Sequence, residues 1–365
     1  MTGLYVAISG HGFGHTTRTC SIVAAVQHFL PDLPVTIVTT SPQWLIDSYV
    51  TQPYHYRPVR LDVGVVQRDG LQMDKTATLA KLKELLTQQQ ELVAQEAAYI
   101  QSQGINLVFA DIPPLAIAIA RSVGIPCWLS SNFGWDLIYQ DWVAELPDFQ
   151  EIVEWIQDLY RQVDLLLRQP FCEAMPVFRN RIDVGLTGGT PKFSPAEIYE
   201  KLQLSPDRLA VLISFGGLGL QAIPYDNVMN YPDLQFITFD QAAPNLANLL
   251  VLAGRNIRPV DIMPICDVVI TKPGYSTIAE ACRLQRGIVC LTRSDFAEGK
   301  YLLAGVRNYM RHHIIEPEDF YHGKWEFLCS HFTPPRLTDP PAGGGEWTIA
   351  QKIVTYFCGG VTNWI

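Results

Sequence analysis

The sequence predicts an α/β protein made of two Rossmann-like, doubly wound domains that face each other across a cleft. Three observations carry that expectation. Short apolar runs alternate with amphipathic stretches along almost the whole chain. A glycine-rich turn follows the first apolar run of each half. At 365 residues the chain is also too long for one ordinary core.

In the first half the runs Leu4–Ser9, Val35–Thr39, His55–Leu61, Asn106–Asp111, Pro126–Ser130 and Asp164–Arg168 read as parallel strands covered on both faces. The segments His15–Leu30, Lys75–Gln103, Pro114–Val123 and Phe149–Gln162 between them read as helices. Lys75–Gln103 sets a leucine face against Gln, Glu and Lys and stops at Gly104, a favourable C-cap. From Pro170 to Pro206 the alternation fades into Gly and Pro, which reads as an interdomain connection. Strands resume at Leu209–Phe215, Leu234–Phe239, Leu249–Leu252, Val268–Thr271 and Ile288–Thr292, with helices at Ser276–Leu284 and Ala297–Arg311. The expected domains are therefore 1–185 and 208–340, joined by 186–207, with a last helix over 346–358.

Composition narrows the function. The net charge of -9 argues against a nucleic-acid backbone as partner. Eight scattered cysteines with no C-x-x-C pair read as buried, reduced thiols. No signal-like start is evident, and no apolar run reaches the roughly 18 residues of a membrane span. The expectation is a cytoplasmic protein without a transmembrane segment. No clustered Cys/His spacing appears, and the adjacent His312 and His313 would point to different faces of a helix, so no metal site is expected.

The most telling stretch is Ser9-Gly10-His11-Gly12-Phe13-Gly14-His15-Thr16-Thr17-Arg18. A strand, a glycine turn and a helix start make an anion site, with Gly12 and Gly14 near a phosphate. Two imidazoles in that turn add proton transfer, with His11 or His15 as the base. The alternative is a helix cap in which the histidines only bond backbone. Asp111 ends an apolar strand, where it can orient an imidazole or cap the helix after Pro114. Ser214-Phe215-Gly216-Gly217-Leu218-Gly219 repeats the turn logic in the second half. In Thr271-Lys272-Pro273-Gly274-Tyr275-Ser276-Thr277, a helix start offers N–H groups to a diphosphate, and Glu280 lies one turn on, within reach of a ribose diol. Capping by Ser276, Thr277 and Glu280 is the alternative. Asp295 and Glu298 follow another strand and suit sugar hydroxyls or a solvated helix start. Asn132, Trp135 and Asp136 suit a sugar or aglycone face, or else capping and core packing.

Together these residues resemble nucleotide-sugar glycosyltransferases of GT-B architecture, above all the glycosyltransferase-like N-terminal domain of plant L-arabinokinases. That domain has a similar Gly-His-Gly-Phe-Gly-His turn followed by Thr-Arg. It has segments like Leu61–Gln67 and Asn132–Asp136, a Phe-Gly-Gly turn, and a run similar to Gly274–Ala281 with Ser276 replacing Gly. The likeness covers nearly the whole chain. Bacterial lipid I N-acetylglucosaminyltransferases and plant glucosyltransferases are more distantly similar. The resemblance implies an N-terminal acceptor domain and a C-terminal nucleotide-sugar domain. It implies His15 as catalytic base oriented by Asp111, and Glu280 on the ribose. The sugar donor would be a nucleotide-diphosphate sugar, UDP-sugar foremost, held by Gly12, Gly14, Gly216, Gly217, Lys272, Gly274, Ser276, Thr277, Glu280, Asp295 and Glu298. The hydroxyl acceptor would meet His11, Asn132, Trp135 and Asp136. Transfer would invert the anomeric centre and need no cofactor or metal. The last helix would cross back to the N-terminal domain. Plant L-arabinokinases continue into a sugar-kinase domain, but this sequence holds no Pro-x-x-x-Gly-Leu-Gly-Ser-Ser-type loop, so kinase activity is not implied. A nucleotide-sugar epimerase or hydrolase, and a non-catalytic sugar-nucleotide module, remain the alternatives.

Overall fold

The computed structural model describes residues 2–252 and 255–359. It divides into two units, the second formed by Gly188–Ala342 together with Arg68–Gln72.

The first unit holds a seven-stranded parallel sheet. Its strands are β1 (Gly3–Ile8), β2 (Val35–Val38), β3 (His55–Arg57), β4 (Ile105–Asp111), β5 (Cys127–Ser131), β6 (Leu165–Arg168) and β7 (Arg181–Asp183). They run in the order β3-β2-β1-β4-β5-β6-β7, so the winding reverses between β1 and β4. The helices are α1 (Gly14–Phe29), α2 (Gln43–Asp47), α3 (Lys75–Gln103), α4 (Pro114–Val123), α5 (Trp135–Gln140) and α6 (Phe149–Tyr160). β1 is buried along its whole length, as a central strand covered on both faces must be. Local chemistry sets the helix ends. Asp74 accepts the Ala77 N–H to start α3, and Gly104 ends it at φ 64°. Pro114 opens α4, where a missing N–H costs nothing.

The second unit holds a six-stranded parallel sheet. Its strands are β8 (Ala210–Ile213), β9 (Gln235–Thr238), β10 (Leu249–Val251), β11 (Val268–Thr271), β12 (Gly287–Leu291) and β13 (His312–Ile315). The order β10-β9-β8-β11-β12-β13 again reverses beside the first strand. Its helices are α7 (Pro195–Leu202), α8 (Pro259–Ile262), α9 (Tyr275–Arg283), α10 (Glu298–Tyr309) and α11 (Pro317–His322). Val211, Ile213, Ile270, Val289 and Leu291 form its core with Phe236, Phe320 and Trp325.

The last helix, α12 (Gly345–Phe357), belongs to the first unit and packs on α1. Ile349, Ala350 and Ile353 join the core made by Leu4, Val6 and Ile8 of β1 with Cys20, Val23 and Val26 of α1.

Four features depart from the sequence reading. The stretch expected to link the domains folds onto the second unit. There Lys192 N–H bonds Asp261, and the Arg258 guanidinium bonds the Thr190 carbonyl. It carries α7, started by a capping box in which Ser194 and Glu197 bond each other's backbone. His312 and His313 lie on β13 rather than on a helix. β7 was not expected; its three residues are all exposed and lack an apolar signature. Finally, Arg68–Gln72 sits in the second unit, where Gly70 N–H bonds the Gly219 carbonyl at 3.0 Å.

Ile353 is fully buried between α12 and the first sheet. Ile353→Ala is expected to cost about 2–5 kcal/mol, through lost burial and a residual cavity. Urea unfolding followed by a probe in the first unit checks this, and a cost near zero would mean that α12 is not anchored there.

Candidate active site

In an open parallel sheet, ligands bind beyond the carboxyl ends of the strands where the winding reverses. In the first unit those ends belong to β1 and β4. The turn after β1 leads into α1, and β4 ends in Asp111. The two meet: His15 Nδ1 lies 2.9 Å from Asp111 Oδ1. Asp111 has no exposed surface, while His15 keeps 7%.

Three α1 side chains face this carboxylate because positions 15, 18 and 19 share a helix face. Arg18 reaches Oδ2 through Nε at 2.5 Å and Oδ1 through Nη2 at 2.6 Å. Thr19 donates its hydroxyl to Oδ2 at 2.9 Å. Burial pushes the Asp111 carboxyl up, but the Arg18 guanidinium and then His15 hold it well below the usual carboxylate range. A charged carboxylate accepts the Nδ1–H of His15. That leaves Nε2 as the lone-pair nitrogen, the state a general base needs.

His11 has the opposite polarity. Its Nδ1 accepts the Val65 N–H at 3.1 Å, so the proton of the neutral ring sits on Nε2. Gly64 lets the backbone come this close: its φ is 62°, and a Cβ there would lie 2.5 Å from His11 Cβ. Trp135 completes the group, with its ring 5.3 Å from His11 and 5.9 Å from His15. Its Nε1–H bonds Asp62, whose carboxyl burial pushes up.

Of the other two expected acceptor residues, Asn132 joins this cluster through Arg18 and Asp136 packs towards α6. The Asn132 amide oxygen accepts from Arg18 Nη1 at 2.7 Å. Asp136 lies in the first turn of α5 and meets Gln157 of α6 at 3.4 Å, and no hydrogen bond links it to His11 or His15. It is a helix-start carboxylate. Gly12 has φ 67°, with nothing within 4 Å of an added Cβ, and Gly14 is the first residue of α1.

In the second unit the reversal falls between β8 and β11. After β8, Gly216 adopts φ 73° and its carbonyl accepts the Gly219 N–H at 3.0 Å. A cavity of about 320 Å³ opens beside this turn, lined by Phe215–Leu220, Tyr225 and Thr238–Gln241. After β11, Gly274 is the N-cap of α9 and, being glycine, gives that helix no N-cap side chain. Ser276 is therefore the second residue of α9 and not its N-cap. The Lys272 ammonium is pushed down to about 7 by burial and then by the Arg293 guanidinium, with Glu298 and Asp69 acting the other way. Glu298 is buried at the start of α10, whereas Asp295 is exposed. Glu280 is 4% exposed, and its Oε1 accepts the Gly189 N–H at 2.7 Å.

Sequence reasoning missed Arg18, Thr19, Asp62 and Arg293 as site residues. The first had a signal: an arginine three residues after His15 in a helix start otherwise free of charge.

No protein-family model matches the chain. L-arabinokinase of Arabidopsis thaliana is 28% identical over 322 residues, which is 87% of this chain but only 31% of that protein. Among solved structures, the UDP complex of S. aureus MnaA superposes with a TM-score of 0.63 at 12% identity, over 100% of this chain and 99% of the other. Arabidopsis thaliana UGT89C1 with UDP-L-rhamnose gives 0.61 at 12% identity, over 98% and 99%. The glycosyltransferase of kitacinnamycin gives 0.58 at 14% identity, over 90% and 91%.

The chain has the GT-B fold. Within it Glu280 holds a position that can be tested by pH. Burial pushes its carboxyl up to about 7 against the pull of the Gly189 N–H and Arg283. Because the folded value lies above the ordinary 4.5, this group favours the fold most at low pH, and that contribution is lost as pH rises through about 7. Glu280→Gln is therefore expected to stabilise the protein at about pH 8, by at most about 3 kcal/mol at 1.36 kcal/mol per pKa unit, and not at about pH 4.5. Melting curves at both pH values check this; an equal effect at both would contradict it.

Proposed function

We propose that this protein transfers a sugar from a nucleotide-diphosphate sugar, UDP-sugar foremost, to a hydroxyl acceptor with inversion at the anomeric carbon. The observation that carries the reading is the His15–Asp111 pair at the carboxyl ends of β1 and β4. His15 takes the acceptor proton at Nε2, and Asp111 fixes the ring and stabilises the cation that forms. The first unit holds the acceptor beside His11 and Trp135. The second holds the sugar donor at Gly216, Gly217 and the N–H groups at the start of α9, with Lys272 beside them and Glu280 nearest the ribose. Backbone N–H groups and the helix dipole stabilise the diphosphate as its charge grows, so the scheme needs no metal. The UDP and UDP-sugar complexes among proteins of this fold support UDP as the first nucleotide to test.

The test has two parts. The protein is melted with UDP, GDP, ADP, TDP and CDP, and the one that raises the melting temperature sets the sugar donors to assay. At about 100 times its dissociation constant a ligand adds about 2.7 kcal/mol, enough for a shift of degrees. His15→Ala is then expected to lower kcat by about 10²–10⁴-fold with little change in the KM for the sugar donor. Unchanged turnover in that variant, or release of nucleotide diphosphate at a rate no acceptor alters, would overturn the reading.

A further inference from the structure

The Asp111 carboxylate has two possible counter-charges on α1, His15 and Arg18, and the second is the better bonded. Arg18 is 1% exposed. It spans both carboxylate oxygens, and further N–H groups go to Asn132 Oδ1 at 2.7 Å and Ser131 Oγ at 3.0 Å. Its Nη2 also faces His15 Nδ1 at 3.1 Å. A guanidinium always carries its charge and matches a carboxylate at two points. A buried carboxylate without a partner would recruit the nearest group able to become a cation.

We propose that Arg18 is a positioning residue: it supplies the counter-charge of Asp111, so that His15 stays an uncharged base instead of forming an imidazolium–carboxylate pair. This rests on the transferase reading above. In that reaction the acceptor oxygen bonds to the anomeric carbon. The bond from that carbon to the diphosphate oxygen breaks and leaves its electron pair on the diphosphate. The hydroxyl proton moves to His15 Nε2. An imidazolium has no lone pair there and cannot take it. Asp111 then orients the ring, and Arg18 prevents the same carboxylate from protonating it beforehand. The groups facing the His15 ring set this balance: Arg18 from α1, Asp111 from β4, Asp62, His11 in the preceding turn, and the uncharged rings of Phe133 and Trp135.

The experiment compares the native chain, Arg18→Met and Arg18→Lys, each full length and labelled with 15N-histidine. The His15 signal is assigned by its loss in His15→Gln. At about pH 7.5 the native ring is expected to be neutral with its proton on Nδ1. In Arg18→Met it becomes an imidazolium, and kcat/KM with the UDP-sugar found above falls roughly 10²-fold. The acid limb of the pH profile moves upward, so that activity recovers towards about pH 9. A purely structural role would lower activity equally at all pH values and leave the ring neutral, and that result would overturn the proposal. If Arg18→Met does not fold, Arg18→Lys decides: it keeps one charge but cannot span both oxygens, so kcat falls while the acid limb stays and the ring remains neutral. An imidazolium in Arg18→Lys would equally overturn the proposal. The spectra need no substrate, so if the native chain transfers no sugar they still decide the charge claim while the transferase reading fails.

Discussion

Asp111 sits at the end of a central strand with none of its surface in water. Breaking one side of a buried charge pair costs about 3–5 kcal/mol, so its neighbours are constrained in identity as well as in place. One face of α1 supplies His15, Arg18 and Thr19, and the chain after β5 supplies Ser131 and Asn132. The glycine turn between β1 and α1 then has a definite task, which is to deliver α1 so that this face meets β4. Against the same helix packs α12, so the last described helix helps to set the place of His15.

The second unit uses the same winding for the opposite chemistry. Where the first sets a guanidinium against a fixed anion, the second starts a helix at a glycine N-cap and places two cations near it. Burial weakens both cations, Arg293 weakens Lys272 further, and the Arg293 guanidinium itself is pushed down to about 10. An arriving diphosphate would relieve both costs. Glu280, pushed up towards neutrality, is the local group least suited to keeping a charge there.

Much of this was legible in the residues. Apolar alternation pointed to the parallel strands, and Gly104 marked a helix end that the structure shows as a left-handed cap. The pairing of His15 with Asp111, ninety-six positions apart, was one of the two readings their places suggested, His15 in the turn after one strand and Asp111 at the end of another. What escaped was tertiary. Arg18 reads as an ordinary helix arginine until β4 is laid beside it. Asn132 and Asp136 are near neighbours in sequence, yet one bonds Arg18 and the other turns to α6. The short exposed β7 carries no apolar pattern to find. The Ser194–Glu197 box was present in the sequence but was hidden among the glycines and prolines around it.

The most direct measurement is a double-mutant cycle on the proposed base and its carboxylate, with kcat read for His15→Ala, Asp111→Ala and the double variant. Residues that act as one unit are strongly non-additive. The double variant is expected to be no slower than His15→Ala alone. Losses that multiply would mean that Asp111 acts independently of His15, and would contradict that expectation.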